Sequence, residues 1–138
     1  CRFATISRNL AERTKGFHLL VRGREAVGAE AVEKIFYPGF PDHPNHSIAA
    51  KQMNGLFGSM ISVLVKGGEP AALKFAGSMK LFKHATSLGG VESLIEHRRS
   101  AEGNSPRSPD GLLRLSVGIE WIEDLLKDLK KGLDSLKS

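Results

Sequence analysis

At 138 residues the chain has the length of one domain and not of two, enough to bury roughly two-thirds of the surface its unfolded form exposes. Hydrophobic residues at 41% and charged residues at 25% exclude a disordered, low-complexity chain, and no apolar run approaches the ~20 residues that cross a bilayer. The net charge of +5 would suit an anionic partner. The charge is dispersed, however: Lys127, Lys130 and Lys131 interleave with Asp124, Asp128 and Asp134, and His97, Arg98 and Arg99 have Glu92, Glu96 and Glu102 close by. Such interleaving reads as a solvated surface. Aromatics are sparse and do not recur on basic strands, so neither a nucleic-acid nor a membrane partner is expected. The one cysteine, Cys1, excludes an intramolecular disulfide, which fits a reducing, cytoplasmic compartment. With no evident His or acid beside it, Cys1 reads as incidental. Cys1 to Arg13 has no signal-peptide core, and a start at Cys1 in place of Met reads as a fragment or a processed product.

In chain order, residues 1–31 form a poorly readable entry segment. Leu10 to Leu20 holds good helix formers interrupted by Gly16, Phe17 to Val21 reads as a short strand, and Arg24 to Glu33 as a short helix. Lys34 to Tyr37 is β-branched and aromatic, a strand ended by the Pro38–Asp42 turn. Asn45 is placed to cap a helix from His46 to about Met53, with Ile48 and Ala49 inward and Lys51 outward. Met60 to Val65 reads as a strand. Gly67 and Gly68 turn the chain into a helix that Pro70 opens and Gly77 ends. A short strand at Leu81–Lys83 is followed by the Ser87–Gly90 loop and a strand over Val91 to Ile95. His97 to Asp110, with Gly103, Pro106 and Pro109, reads as a long exposed loop.

Leu112 to Val117 is the strongest strand. Alternation sends Leu113, Leu115 and Val117 to one face, and Leu112, Arg114 and Ser116 to the other. The last helix, Trp121 to Leu136, places Trp121, Ile122, Leu125, Leu126, Leu129, Leu133 and Leu136 at spacings of three and four, with Lys and Asp opposite. Gly132 weakens it by about 1 kcal/mol relative to Ala. Several links are too short to cross over between parallel strands. The expected fold is therefore α+β, a mainly antiparallel sheet with helices packed on one face, and Met53, Met60 and Met79 read as core residues.

Several segments, in shared order, resemble one enzyme family. Leu81 to His97 contains Ser87-Leu88-Gly89-Gly90. Asp110 to Glu120 contains Leu113-Arg114-Leu115-Ser116-Val117-Gly118. To these are added Tyr37-Pro38-Gly39, His43-Pro44-Asn45-His46, Gly58 to Ser62, and Glu123 to Leu129. Together they are similar to the Cys/Met-metabolism family of pyridoxal-phosphate (PLP) enzymes, which includes cystathionine γ-synthases, γ-lyases and β-lyases and methionine γ-lyases. The likeness runs from about Val32 to Leu136. It implies that residues 32–138 are the C-terminal small domain of a fold-type-I, aminotransferase-like enzyme of transsulfuration. It further implies an amino-acid substrate, a homo-oligomer, and a large domain, in the same chain or a partner, that holds PLP on a lysine. No cofactor lysine is identified: Thr14-Lys15-Gly16 lacks the surrounding motif, so no catalytic or cofactor-binding residue is assigned.

The candidate substrate-binding residues are Arg114, Thr86, Ser87 and Leu88. A planar guanidinium fork suits both oxygens of an α-carboxylate, and Arg114 sits in an otherwise apolar strand. From the strand alone, an arginine on a solvated sheet face is the favoured alternative; the resemblance implies the carboxylate anchor. Gly89 and Gly90 let a backbone approach a ligand, although a Gly-Gly pair is otherwise only a turn. The resemblance implies that main-chain groups near Ser87 and Leu88 help hold the carboxylate and that Thr86 lies near the substrate side chain. γ-Lyases often carry an acid at that position, and Thr86 departs from them. His43 and His46 lack a third ligand and do not make a metal site. Glu92 and Glu96 read as ordinary polar positions on one strand face, and His84 and His97 as structural or exposed. The alternative to an enzyme domain is a catalytically inactive remnant that serves as an interaction or dimerisation module.

Overall fold

The computed structural model describes residues 29–137. The readings for Leu10–Leu20 and Phe17–Val21, and those for Cys1 and Lys15, lie outside the described residues. So does most of the helix expected over Arg24 to Glu33; its described end is a single 3₁₀ turn, Ala29–Ala31, that runs into a strand.

Five strands form one sheet: β1 Val32–Phe36, β2 Met60–Val65, β3 Lys83–His84, β4 Leu94–His97 and β5 Leu112–Ser116. Their spatial order is β1-β2-β5-β4-β3, antiparallel except for the β3–β4 pair. The helices are α1 His46–Gln52, α2 Gly68–Ser78, α3 Arg98–Ala101 and α4 Ile122–Ser135. β2 matches the sequence reading at both ends, because Met60 to Val65 alternates half-buried and buried positions. Its inward residues Ile61, Val63 and Val65 join Leu113, Leu115 and Ile95 under Phe75, Leu125, Leu129 and Leu133 of α2 and α4. The helices thus cover one face of a mainly antiparallel sheet, and the fold is α+β as expected.

The exception in the sheet is instructive. β3 and β4 pair in parallel, Lys83 with Leu94 and His84 with Ile95, although only residues 85–93 join them. Each strand contributes so few residues that the link has little distance to retrace. It does so as a loop across the end of β5, and that loop holds Ser87 to Gly90. The two strands are accordingly displaced from the expected Leu81–Lys83 and Val91–Ile95.

Other expectations are corrected by packing. α1 buries no residue; Ile48 is 54% exposed, and the Asn45 side chain makes no cap hydrogen bond. α2 runs past Gly77 to Ser78, where the Ser78 hydroxyl donates to Phe75 O at 2.7 Å. Met79 is buried while Met53 is exposed. Trp121 stands outside the apolar stripe of α4, 66% exposed, as the extended residue before the helix. Gly132 has a packing reason: a Cβ there would meet Phe75 Cε2 at 3.1 Å, so the glycine lets α4 lie close against α2 despite its propensity cost.

Three polar side chains, Asp128, His97 and Glu102, fasten neighbouring segments. Asp128, expected on the solvated face of the last helix, is 6% exposed. Its carboxylate accepts from the backbone N–H of Lys80 (2.8 Å), Leu81 (2.8 Å) and Phe82 (3.2 Å) just beyond α2. The segment His97 to Asp110 is likewise not a simple exposed loop. His97 belongs to β4 and is 7% exposed; its Nδ1 lies 2.7 Å from Ser100 Oγ and its Nε2 2.6 Å from Asp110 O. A carbonyl only accepts, so Nε2 carries a proton. Glu102 gathers the rest, accepting from Arg107 N at 2.7 Å, Ser108 N at 3.0 Å and Ser108 Oγ at 2.5 Å.

The Ser108 hydroxyl, then the Ser108 and Arg107 amides, lower the Glu102 pKa from 4.5 to about 2. A depressed carboxylate pKa contributes order that is present above the ordinary value and is lost as pH falls through the folded one. The amides of Arg107 and Ser108, followed by NMR from pH 5 downward, are therefore expected to hold their shifts past pH 4 and move with a midpoint near 2. A midpoint near 4.5 would show that these bonds do not persist in solution.

Candidate functional site

The site is built on β5, the strand flanked by β2 and β4. Register places Arg114 opposite Ser62 on one side and Glu96 on the other, all on the face turned away from α2 and α4. The Arg114 side chain is 20% exposed and the Glu96 side chain 5%. Glu96 Oε2 ion-pairs with Arg114 Nη2, and its Oε1 lies 2.6 Å from Arg98 Nη1. Glu96 is thus not an ordinary polar strand residue: it is a buried carboxylate bridging two arginines. Glu92, by contrast, is exposed in the loop, so the two acids do not share a strand face. A half-buried arginine on an apolar strand needs a nearby opposite charge, and Glu96 in Leu94-Ile95-Glu96-His97 was the one acid on the neighbouring strand. Only the register reveals that pairing.

Arg114 Nη2 also donates to Thr86 O at 2.5 Å and Ser87 O at 3.3 Å. One nitrogen therefore ties the loop to the strand, and Arg114 Nη1 and Nε have no hydrogen-bond partner among the described residues. Those two groups are directed donors on a guanidinium whose charge is already held in place, which suits a carboxylate. The structure brings Arg114, Thr86 and Ser87 together. The Leu88 side chain is 54% exposed and touches the arginine through no polar contact.

Further residues, which sequence reasoning left unassigned, fasten the loop. Gly89 N donates to Ser116 Oγ at 2.9 Å, and Ile119 N to Val91 O at 2.9 Å. Ser93, fully buried, donates from its N–H to Glu120 Oε1 at 2.6 Å and from its hydroxyl to Glu120 Oε2 at 2.8 Å. The same hydroxyl accepts from Gly118 N at 2.9 Å. A Cβ at Gly118 would run into Val91 O, so the close approach requires glycine there. The signal available in the sequence was the polar spacing Ser116, Gly118 and Glu120 directly after an apolar strand.

The remaining candidates lie elsewhere. The His46 ring stacks on Phe57 at 4.9 Å, and its Nδ1 is 2.8 Å from Pro38 O. His43 Nδ1 accepts from Asn45 N at 3.2 Å. Among the described residues no group of three His, Cys, Asp or Glu side chains could hold a metal ion, and no helix is long and apolar enough to cross a membrane.

The described residues thus form an α+β layer with an arginine fork beside a glycine-rich loop. The family model of the Cys/Met metabolism PLP-dependent enzymes matches residues 27–134, and the chain belongs to that family. Pyridoxal phosphate is thereby implied for the complete enzyme. The chain is 50% identical over 108 residues to cystathionine gamma-synthase of Mycobacterium tuberculosis, an overlap of 75% of this chain and 28% of the relative. It is 45% identical over 115 residues to L-methionine gamma-lyase of Porphyromonas gingivalis, covering 77% of this chain and 28% of that one. In three dimensions it is similar to the crystal structure of cystathionine gamma-lyase from yeast. That match has a TM-score of 0.82 and 40% identity, and covers 95% of this chain and 35% of the other. The chain therefore spans less than a third of the length of the curated relatives it matches.

Proposed function

We propose that residues 32–138 are the C-terminal small domain of a transsulfuration enzyme, and that Arg114 holds the α-carboxylate of its amino-acid substrate. The observation that carries this reading is the guanidinium itself: half-buried, charge-paired by Glu96 on one side, with Nη1 and Nε free of partners among the described residues. Thr86, Ser87 and Leu88 border the bound amino acid, Thr86 toward its side chain. The arrangement fits the substrate end of a PLP site. The family resemblance assigns the cofactor lysine to a large domain, in the same parent chain or in a partner.

When bound there, PLP supplies the electron sink. This domain clamps the substrate so that the bond to be broken stands where that sink can act. The substrate class is a sulfur-containing or O-acylated amino acid undergoing β- or γ-elimination or replacement. The complete enzyme is read as a cytoplasmic homo-oligomer. A second reading, an inactive interaction or dimerisation module, is favoured by the exposed apolar residues Leu88, Val91, Ile119 and Trp121.

Titration of the chain with PLP, followed by borohydride trapping and peptide mapping, tests the half-site reading. Weak modification scattered over several lysines is expected. Saturable modification of one lysine would show that this chain holds the cofactor by itself and overturn the assignment.

A further inference from the structure

We infer that Glu120 and Ser93 are positioning residues that set the orientation of the Thr86–Gly90 loop and, through it, of Arg114; the inference rests on the carboxylate-binding role of that arginine. Residues 86–92 are all exposed and include Gly89 at φ +73°, so neither burial nor intrinsic stiffness fixes their path. Polar contacts to β5 and its continuation do. At the N-terminal root of the loop, Arg114 Nη2 holds Thr86 O and Ser87 O. In the middle, Ser116 Oγ accepts from Gly89 N, and Ile119 N donates to Val91 O.

At the C-terminal root, Glu120 receives both the amide and the hydroxyl of fully buried Ser93, and Ser93 in turn receives the amide of Gly118. Of these fastenings only the last combines a charged acceptor, two donors from one residue and a fully buried partner. Charge-assisted bonds of this kind are about twice as strong as neutral ones. Glu120 touches no part of the arginine fork. Its effect on a ligand runs through the loop: the carbonyls of Thr86 and Ser87 share Nη2 with Glu96 Oε2, and where those carbonyls sit helps set which way Nη1 and Nε point.

The test compares the 138-residue chain with its Glu120→Gln variant, which keeps the side-chain shape but replaces one acceptor oxygen with a donor. Amide hydrogen exchange, melting temperature and the response of the Arg114 Nε signal to added L-methionine are measured together. Exchange at Gly89, Ser93, Gly118 and Ile119 is expected to quicken by about tenfold, while Val63, Leu113 and Leu115 stay protected and the methionine response weakens. Unchanged exchange in the loop would overturn the inference. So would equal acceleration throughout the sheet, which marks a merely structural role. If Glu120→Gln does not fold, Glu120→Asp, which keeps the charge but draws it back by one methylene, is judged on the same localisation. If the unaltered 138-residue chain shows no Arg114 response to L-methionine, the exchange pattern alone decides whether Glu120 holds the loop, and the carboxylate reading is decided separately with the large domain present.

Discussion

Replacing Asp128 with alanine is expected to destabilise the fold by about 3 kcal/mol and to lower Tm by roughly 10 °C. The side chain is 6% exposed, and it is the acceptor for three successive backbone amides, Lys80 to Phe82. These lie just past the end of α2, where helix geometry supplies no acceptor for them. Alanine removes the acceptor and leaves three amides without it, the innermost of them that of buried Phe82. An orphaned buried donor costs about 1–3 kcal/mol. The bonds also join α4 to the exit of α2, so their loss loosens the helical layer over Ile61, Val63 and Leu115. Asp128→Asn, which retains one oxygen of the same shape, is expected to cost about half as much. Chemical denaturation of the three proteins measures this; a change within about 0.5 kcal/mol for alanine, the range of an ordinary surface position, would contradict the anchor.

Asp128 also illustrates what could be read from the residues and what could not. The apolar spacing of α4 and the alternation of β2 and β5 are local patterns, and the structure reproduces them: Ile61, Val63, Val65, Leu113 and Leu115 are buried as their periodicity requires. Asp128 lies on the edge of that helical stripe, between Leu125 and Leu129. Its burial depends on amides 46 to 48 positions away, which helical spacing does not encode. Glu96 and His97 followed the same pattern. They open a polar run, yet they are buried because β4 pairs with β5 and brings Glu96 to Arg114 and His97 to Leu113.

Arg114 stood out as an arginine on the apolar strand Leu112 to Ser116, but the strand alone favoured a solvated sheet face, and only the resemblance to a known family gave it the carboxylate role. The resemblance to a known family added Thr86, Ser87 and Leu88. Glu96, Ser93 and Glu120 were not legible, because each acts through a cross-strand or loop partner that only register and loop path supply. Trp121 was misplaced for a different reason: helical periodicity was extended one residue beyond the helix, onto a position with extended backbone.

Replacing Arg114 with alanine is expected to produce the largest functional effect. Truncating one partner of a desolvated, hydrogen-bonded charge pair costs about 2–5 kcal/mol, and each 1.4 kcal/mol is tenfold in affinity. Glu96 bridges Arg114 and Arg98, so alanine leaves Glu96 with Arg98 alone as its counter-charge and removes the net positive charge where the carboxylate should land. Arg114→Lys keeps the charge but loses the fork, and an intermediate effect is expected.

The decisive measurement is the dissociation constant of the amino-acid substrate for an enzyme assembled from this chain and a PLP-binding large domain of the family, with and without Arg114→Ala. A weakening of about 100-fold, with the visible PLP absorbance unchanged, is expected if Arg114 holds the α-carboxylate. An unchanged dissociation constant would contradict that role and leave Arg114 as a structural partner of Glu96 and the loop.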